Sequence, residues 1–414
     1  MLPLFSFPSA VKITANDGQA YSAFLSRFTR RQHTLAKKVK EDSRFDDTIR
    51  LNSSTDVASS ENRGYGSIKK NTLISILFSL LFYHCLELAL LQPVYAGCQE
   101  AREYSRKYQG TSLLVMYDGK IVCEAYDNGG AANQPVELAS GTKSFTGIIA
   151  ASAVQDGLLQ FDEKVARTIK EWQGNRIKEK VTIRQLLNLT SGIQTPKAAG
   201  NRASINISYQ QSIAMPVLDE PGTKFAYGQV PFQIFGAVML RKLKGEDPVS
   251  YLKRRILSPI GIKIGGWRKA ADGHSFMAHG AQLTARNWAL YGEFIRQMGV
   301  WRGQKYLESS LLKECFEGSK VNPAYGLSWW LNRDMPDSMR AMITPLIRGT
   351  DVRPISGLFP PDLVFAAGVG AQRLYISRLE KLVVVRQSKG IRDSLLNRRR
   401  SGFSDRKFWQ ALKS

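Results

Sequence analysis

The tetrapeptide Ser140-Gly141-Thr142-Lys143 carries a hydroxyl and an amine at a spacing that can do chemistry. A serine hydroxyl becomes a nucleophile once a neighbouring base takes its proton. A lysine amine is such a base when burial or a nearby cation lowers its pKa. Spacing alone does not single out this pair, because S-x-x-K occurs six times, at Ser9, Ser67, Ser140, Ser250, Ser310 and Ser404. Context does. In "ELASGTKSFTGIIAASAVQDGLL" (137–159), Phe145, Ile148 and Ile149 follow i, i+3, i+4 spacing, with small Ser152 at i+7, Ala153 at i+8 and Gly157 as a stop. Ser140 then falls at a strand-to-helix junction, with Lys143 one turn on and on the same face. The free N–H groups and dipole at a helix start favour a developing oxyanion. Ser9, Ser67 and Ser404 lie in polar or terminal stretches, and Ser250 and Ser310 in amphipathic helices with surface lysines. The plainer alternative for Ser140 is a helix N-cap beside a solvated lysine, and the local pattern leaves both open.

The elements that must position this pair are partly readable. "TSLLVMYDGKIVCEAYDNGG" (111–130) is two β-rich runs around Asp118-Gly119, a hairpin signal. His274 and His279 flank "SFMA", where a single histidine is more often hydrogen-bonded structure than catalyst. Trp329-Trp330 either lines a pocket or fills a core, and a mixture is expected, with one ring at the cleft.

Over a longer span the chain resembles the β-lactamase-related serine hydrolases. That family includes class C β-lactamases, D,D-peptidases, S-x-x-K esterases and aminohexanoate-oligomer hydrolases. The resemblance runs through "ELASGTKSFTGIIAASAVQDGLLQFDEKV", "VTIRQLLNLTSGI" (181–193), "EPGTKFAYGQVPFQIFGAVMLRKLKGEDPVSYLKRRILSPIGI" (220–262), "AHGAQLTARNWALYGEFIRQMGVWRGQKYL" (278–307), "NPAYGLSWWLN" (322–332) and "FAAGVGAQRLYISRLEKLVVVRQS" (365–388). In this order it covers nearly all of residues 110–388. The last two stretches are similar in particular to the esterase and aminohexanoate-oligomer branch.

The resemblance implies that Ser140 is acylated, that Lys143 is its general base, and that Tyr227 relays a proton to the leaving group. The family's Y-x-N falls on Tyr227-Gly228-Gln229, with Gln229 one methylene longer than the usual Asn. Ser204-Ile205-Asn206 is a rival second motif, and the literal Tyr126-Asp127-Asn128 reads as structural. The third motif, K-T-G or H-x-G, has no match. Its place is taken by Gly368-Val369-Gly370-Ala371-Gln372, where Gly370, Ala371 and Gln372 would touch substrate together with Gln229 and Trp329. The missing cation argues against efficient action on β-lactams or peptides with a free carboxylate.

The formal charge of +23 is concentrated partly near the two ends of the chain, without zinc-finger, RNP-like or basic-zipper patterns. It reads as a solvated surface rather than a nucleic-acid footprint. Among the four cysteines there is no C-x-x-C, and no metal or organic cofactor is implied. Cys85 and Cys98 lie in or beside a segment expected to be processed. Cys123 and Cys315 could pair, with two buried thiols as the favoured reading. Residues 69–97, "KKNTLISILFSLLFYHCLELALLQPVYAG", suit a secretory signal cleaved after Ala96 better than a membrane span. Lipidation at Cys98 and an uncleaved anchor through residues 69–92 are the rivals.

Residues 1–67 are a polar extension, or translation starts near Ile68. Residues 68–96 are signal or anchor, and 97–414 the hydrolase domain. The expected fold is α/β (α+β): an antiparallel sheet of the 111–127 hairpin and the 364–388 strands, flanked by helices, with a mostly helical subdomain over about 145–330. The expected function is an exported, periplasmic or periplasm-facing serine esterase or amidase acting on a small ester or amide. A β-lactamase or penicillin-binding peptidase, and a catalytically weak binding domain, are the alternatives.

Overall fold

Eight residues of β1 (Gly110–Tyr117) turn at Asp118-Gly119 into β2 (Lys120–Tyr126). Both turn residues have positive φ, 45° and 79°, which is what a tight hairpin following the strand twist demands. The computed structural model describes residues 97–195, 206–335, 358–389, 391 and 402–414, all within one compact unit. The expected processing segment, Cys85 and Ser204-Ile205 lie outside the described residues. Among the described residues no helix is long and apolar enough to cross a membrane.

The hairpin belongs to an antiparallel six-stranded sheet ordered β2-β1-β11-β10-β9-β8. Its other members are β8 (Trp330–Leu331), β9 (Val364–Gly368), β10 (Gln372–Ser377) and β11 (Leu382–Ser388). The runs "LVVVRQS" and "QRLYIS" are buried along their whole length, because both faces of the sheet are covered. One face carries the helix Ala285–Arg296, whose Gly292 sits against Val383 and Leu374. The other carries a helix over residues 97–107 and the C-terminal helix Asp405–Lys413, whose Phe408 and Trp409 pack on Tyr375. A second, three-stranded sheet orders β3 (Val136–Glu137), β5 (Ala281–Leu283) and β4 (Gly266–Trp267). Between the sheets and the helical part runs the helix Lys143–Gln155. It is buried from Lys143 to Ala153, and a helix apolar on every side is a core helix.

Cys123 does not pair with Cys315. It forms a disulfide with Cys98, tying the 97–107 helix to β2, while Cys315 is a buried free thiol. Cys98, the lipidation candidate, is here engaged in a bridge that spans 25 residues of sequence.

Candidate active site

Ser140 sits in a 3-10 turn, Ala139–Thr142, which links β3 to the buried helix, and Lys143 opens that helix. The turn is fixed by β5: the Leu138 N–H donates to the Ala281 carbonyl (2.9 Å), and the Ala281 N–H to Thr142 Oγ1 (3.1 Å). Ala139 holds φ at 48°, a costly conformation for a residue with a Cβ, immediately before the serine. Gly368, at the end of β9, lies against this turn, and a Cβ there would run into the Leu138 carbonyl. The third-motif strand and the serine turn therefore meet through a glycine.

Lys143 is 4% exposed. Its Nζ donates to Ser140 Oγ at 3.0 Å and to the Ala278 carbonyl at 3.0 Å. The ammonium lies 5.1 Å from the Tyr227 ring centre and 5.6 Å from that of Phe232. Burial lowers its pKa from 10.5 to about 7, because the charged form loses hydration with no carboxylate among the described residues to compensate. Near neutrality a substantial fraction is the free amine, which is what a base for the Ser140 proton requires.

Tyr227 completes the group. Its pKa is pushed up to about 12 by burial, which the Ser140 hydroxyl and Arg373 partly offset. The ring is held in an aromatic box. Trp330 stacks on it at 5.7 Å, and Tyr325 meets it edge-on at 6.3 Å. Gly228 leaves no room for a Cβ beside Thr195, so the second motif is packed onto the 191–195 loop. Gln229 is the N-cap residue of the helix Val230–Lys242 but spends no side-chain bond on capping it.

Two of the expected substrate contacts lie in the interior. Trp329 is fully buried behind the site, stacked on Tyr291 at 6.1 Å and edge-on to Phe316. Trp330 is the ring beside Tyr227, and at 2% exposure neither ring opens to a cleft. The Gln372 amide is committed to Ser388, donating to its carbonyl and accepting from its N–H at 3.1 Å. Gly370 and Ala371 form the β9–β10 turn at φ 77° and 63°. His279 stacks on Phe276 at 4.0 Å and His274 on Tyr209 at 5.0 Å, both structural positions. Asn128 bonds the Arg106 and Gly110 carbonyls, so the literal Y-x-N is a structural corner. Among the described residues no His, Cys, Asp and Glu side chains converge as a metal site.

Sequence reasoning missed the Ala278 carbonyl, since a backbone acceptor leaves no trace in residue type. It also missed Arg373 and Arg386, which were visible as lone charges in otherwise apolar strands.

The fold and this serine–lysine–tyrosine cluster point to the β-lactamase-fold family of serine hydrolases. The Beta-lactamase family model matches residues 96–388, and the chain belongs to that family. Monacolin J acid methylbutanoyltransferase of Aspergillus terreus is 29% identical over 180 residues, 37% of this chain and 43% of that protein. The chain spans less than half the length of the curated relatives it matches. A family VIII carboxylesterase superposes with a TM-score of 0.57 at 16% identity, covering 76% of this chain and 96% of that one. EstCE1, a hydrolase with promiscuous acyltransferase activity, superposes with a TM-score of 0.56 at 14% identity over 80% and 100%. At these identities the two structures bear on the fold alone.

Proposed function

We propose that this chain is an exported serine esterase or amidase that works through an acyl-enzyme on Ser140. The observation that carries the reading is the 3.0 Å bond between Ser140 Oγ and the Nζ of a lysine whose pKa burial lowers to about 7. Lys143 accepts the hydroxyl proton as Oγ bonds to the substrate carbonyl carbon. The C–O or C–N bond to the leaving group breaks as Tyr227 protonates it, and the Lys143 ammonium restores the Tyr227 proton. Water then attacks the acyl carbon, the proton it loses returns to Ser140, and the acid departs. Backbone N–H groups of Ser140 and of the 370–372 segment serve as oxyanion donors. The third motif holds no Lys or His, so substrates without a free carboxylate fit better than β-lactams. Export is supported by the Cys98–Cys123 disulfide, since such bonds persist in oxidising compartments.

The test is hydrolysis of short-chain p-nitrophenyl esters and a chromogenic cephalosporin by the full chain, wild type beside Ser140→Ala. Ester turnover lost in the mutant is expected. Cephalosporin turnover at comparable rates would move the assignment to β-lactamase. Turnover equal in both proteins would remove Ser140 from the mechanism.

A further inference from the structure

Behind the third-motif turn, on the sheet face that carries the C-terminal helix, lies a buried charged cluster. Arg373, Arg386 and Asp405 are 1%, 0% and 2% exposed. Arg373 pairs with Asp405 through Nε at 2.7 Å and Nη2 at 3.3 Å, and the Tyr375 hydroxyl donates to the same carboxylate. The two guanidinium groups lie over one ring, Phe403, at 5.7 and 4.2 Å. Among the described residues the Asp405 carboxylate is what faces these two buried cations, and burying charge is expensive. The pKa of Arg386 falls to about 9 under burial and the repulsion of Arg373. Well-packed apolar residues in place of a buried ion pair are often neutral or stabilising.

Most of the cluster's bonds to backbone fall on one short stretch. Arg373 Nη1 bonds the Gly368 carbonyl at 3.1 Å and the Gln372 carbonyl at 2.9 Å. Arg386 Nη1 bonds the Ala371 carbonyl at 2.7 Å, and its Nη2 bonds the Ser105 and Tyr108 carbonyls. Ser388 Oγ donates to the Gly370 carbonyl. Four carbonyls of the five-residue turn are thus each held by a side chain. A peptide plane whose oxygen is fixed has its N–H direction fixed as well, and that is the property an oxyanion donor needs. Gly368, at one end of the turn, abuts the Leu138-Ala139 backbone that precedes Ser140.

We propose that Arg373 and Arg386, clamped by Asp405 of the C-terminal helix, are positioning residues for acyl transfer. They set the peptide planes of the Gly368–Gln372 turn and hold a fixed positive charge behind it, where the third motif has no cation of its own. The charge reaches the site through the strand, since Arg373 draws the Tyr227 phenol towards its ionised form. It is too deeply committed to grip a substrate carboxylate. The inference rests on Ser140 being the acylated nucleophile.

The test uses the full chain as wild type, Asp405→Asn, Arg386→Lys and Arg373→Met. Each variant is titrated with a fluorophosphonate to count reactive Ser140. Three quantities follow: kcat/KM on p-nitrophenyl butyrate, inhibition by a phenylboronic acid that forms a tetrahedral adduct, and substrate affinity measured in a Ser140→Ala background. The expected result is a loss of about 10–100-fold in kcat/KM, the same loss in boronate affinity, and ground-state affinity within about twofold. Unchanged boronate affinity in a folded variant overturns the proposal. So does a parallel loss of ground-state affinity, which marks a merely structural role. Should Arg373→Met fail to fold, Asp405→Asn and Arg386→Lys decide by the same criteria. A wild-type protein that neither reacts with fluorophosphonate nor turns over ester refutes the hydrolase reading instead.

Discussion

Ser404 and Lys407 stand three apart at the start of the C-terminal helix, as Ser140 and Lys143 do at the start of the buried one. Ser404 is a conventional N-cap, its Oγ accepting the Lys407 N–H at 3.3 Å, and the Lys407 side chain is exposed. Ser140 caps nothing. It lies inside a 3-10 turn, and its Oγ accepts from the lysine side chain rather than the lysine backbone. Ser250 with Lys253 and Ser310 with Lys313 are exposed pairs of the ordinary kind. What sets the Ser140–Lys143 pair apart is a backbone that withholds the serine from capping and a core that dehydrates the amine.

The largest effect that could break this contrast is on turnover. Ser140→Ala and Lys143→Met are each expected to lower kcat/KM on p-nitrophenyl esters by about 1000-fold or more. Ser404→Ala and Lys407→Met should leave it within about twofold.

Lys143→Met should at the same time stabilise the protein. The folded pKa of about 7 lies below the usual 10.5. Between those values the unfolded chain holds the extra proton, so wild-type stability rises with pH through that window and is lost as pH falls towards 7. At pH 7 and below the buried amine costs a few kcal/mol. The melting temperature of the Met variant should exceed wild type most at or below pH 7, and by little above pH 10.5. The reverse order would mean that Lys143 is paired rather than desolvated. The same value predicts that kcat/KM climbs with pH through about 7, as the free amine forms. A profile flat from pH 5 to 9 would remove Lys143 as the base.

A smaller effect sharpens the contrast from the C-terminal side. Reducing Cys98–Cys123 releases the helix that packs beside Ser404, and should cost about 3 kcal/mol in denaturant unfolding, with kcat little changed. The smallest is Ser404→Ala, expected to cost about 1 kcal/mol of stability through the lost cap.

Much of the frame was legible because its signals are local. Asp118-Gly119 marked the hairpin, and the apolar spacing from Phe145 marked the buried helix. The side chains that a motif names, Ser140, Lys143 and Tyr227, are the ones the structure brings together in the candidate site. The site was not legible where the partner is distant in sequence and chosen by packing. Trp329 and Trp330 are adjacent and chemically identical, yet only the sheet position of Trp330 brings it onto Tyr227. Gln372 reads as a substrate contact until Ser388 is seen to occupy both ends of its amide.

By itself the sequence determined which serine could react and what surrounds it: small and apolar neighbours, a helix start, a glycine at each close approach. The tertiary structure decided the rest. A lysine becomes a base only when the Ala278 carbonyl, the Tyr227 and Phe232 rings and the surrounding core take its water away. Desolvation is a sum over neighbours from distant parts of the chain, and no stretch of sequence contains that sum.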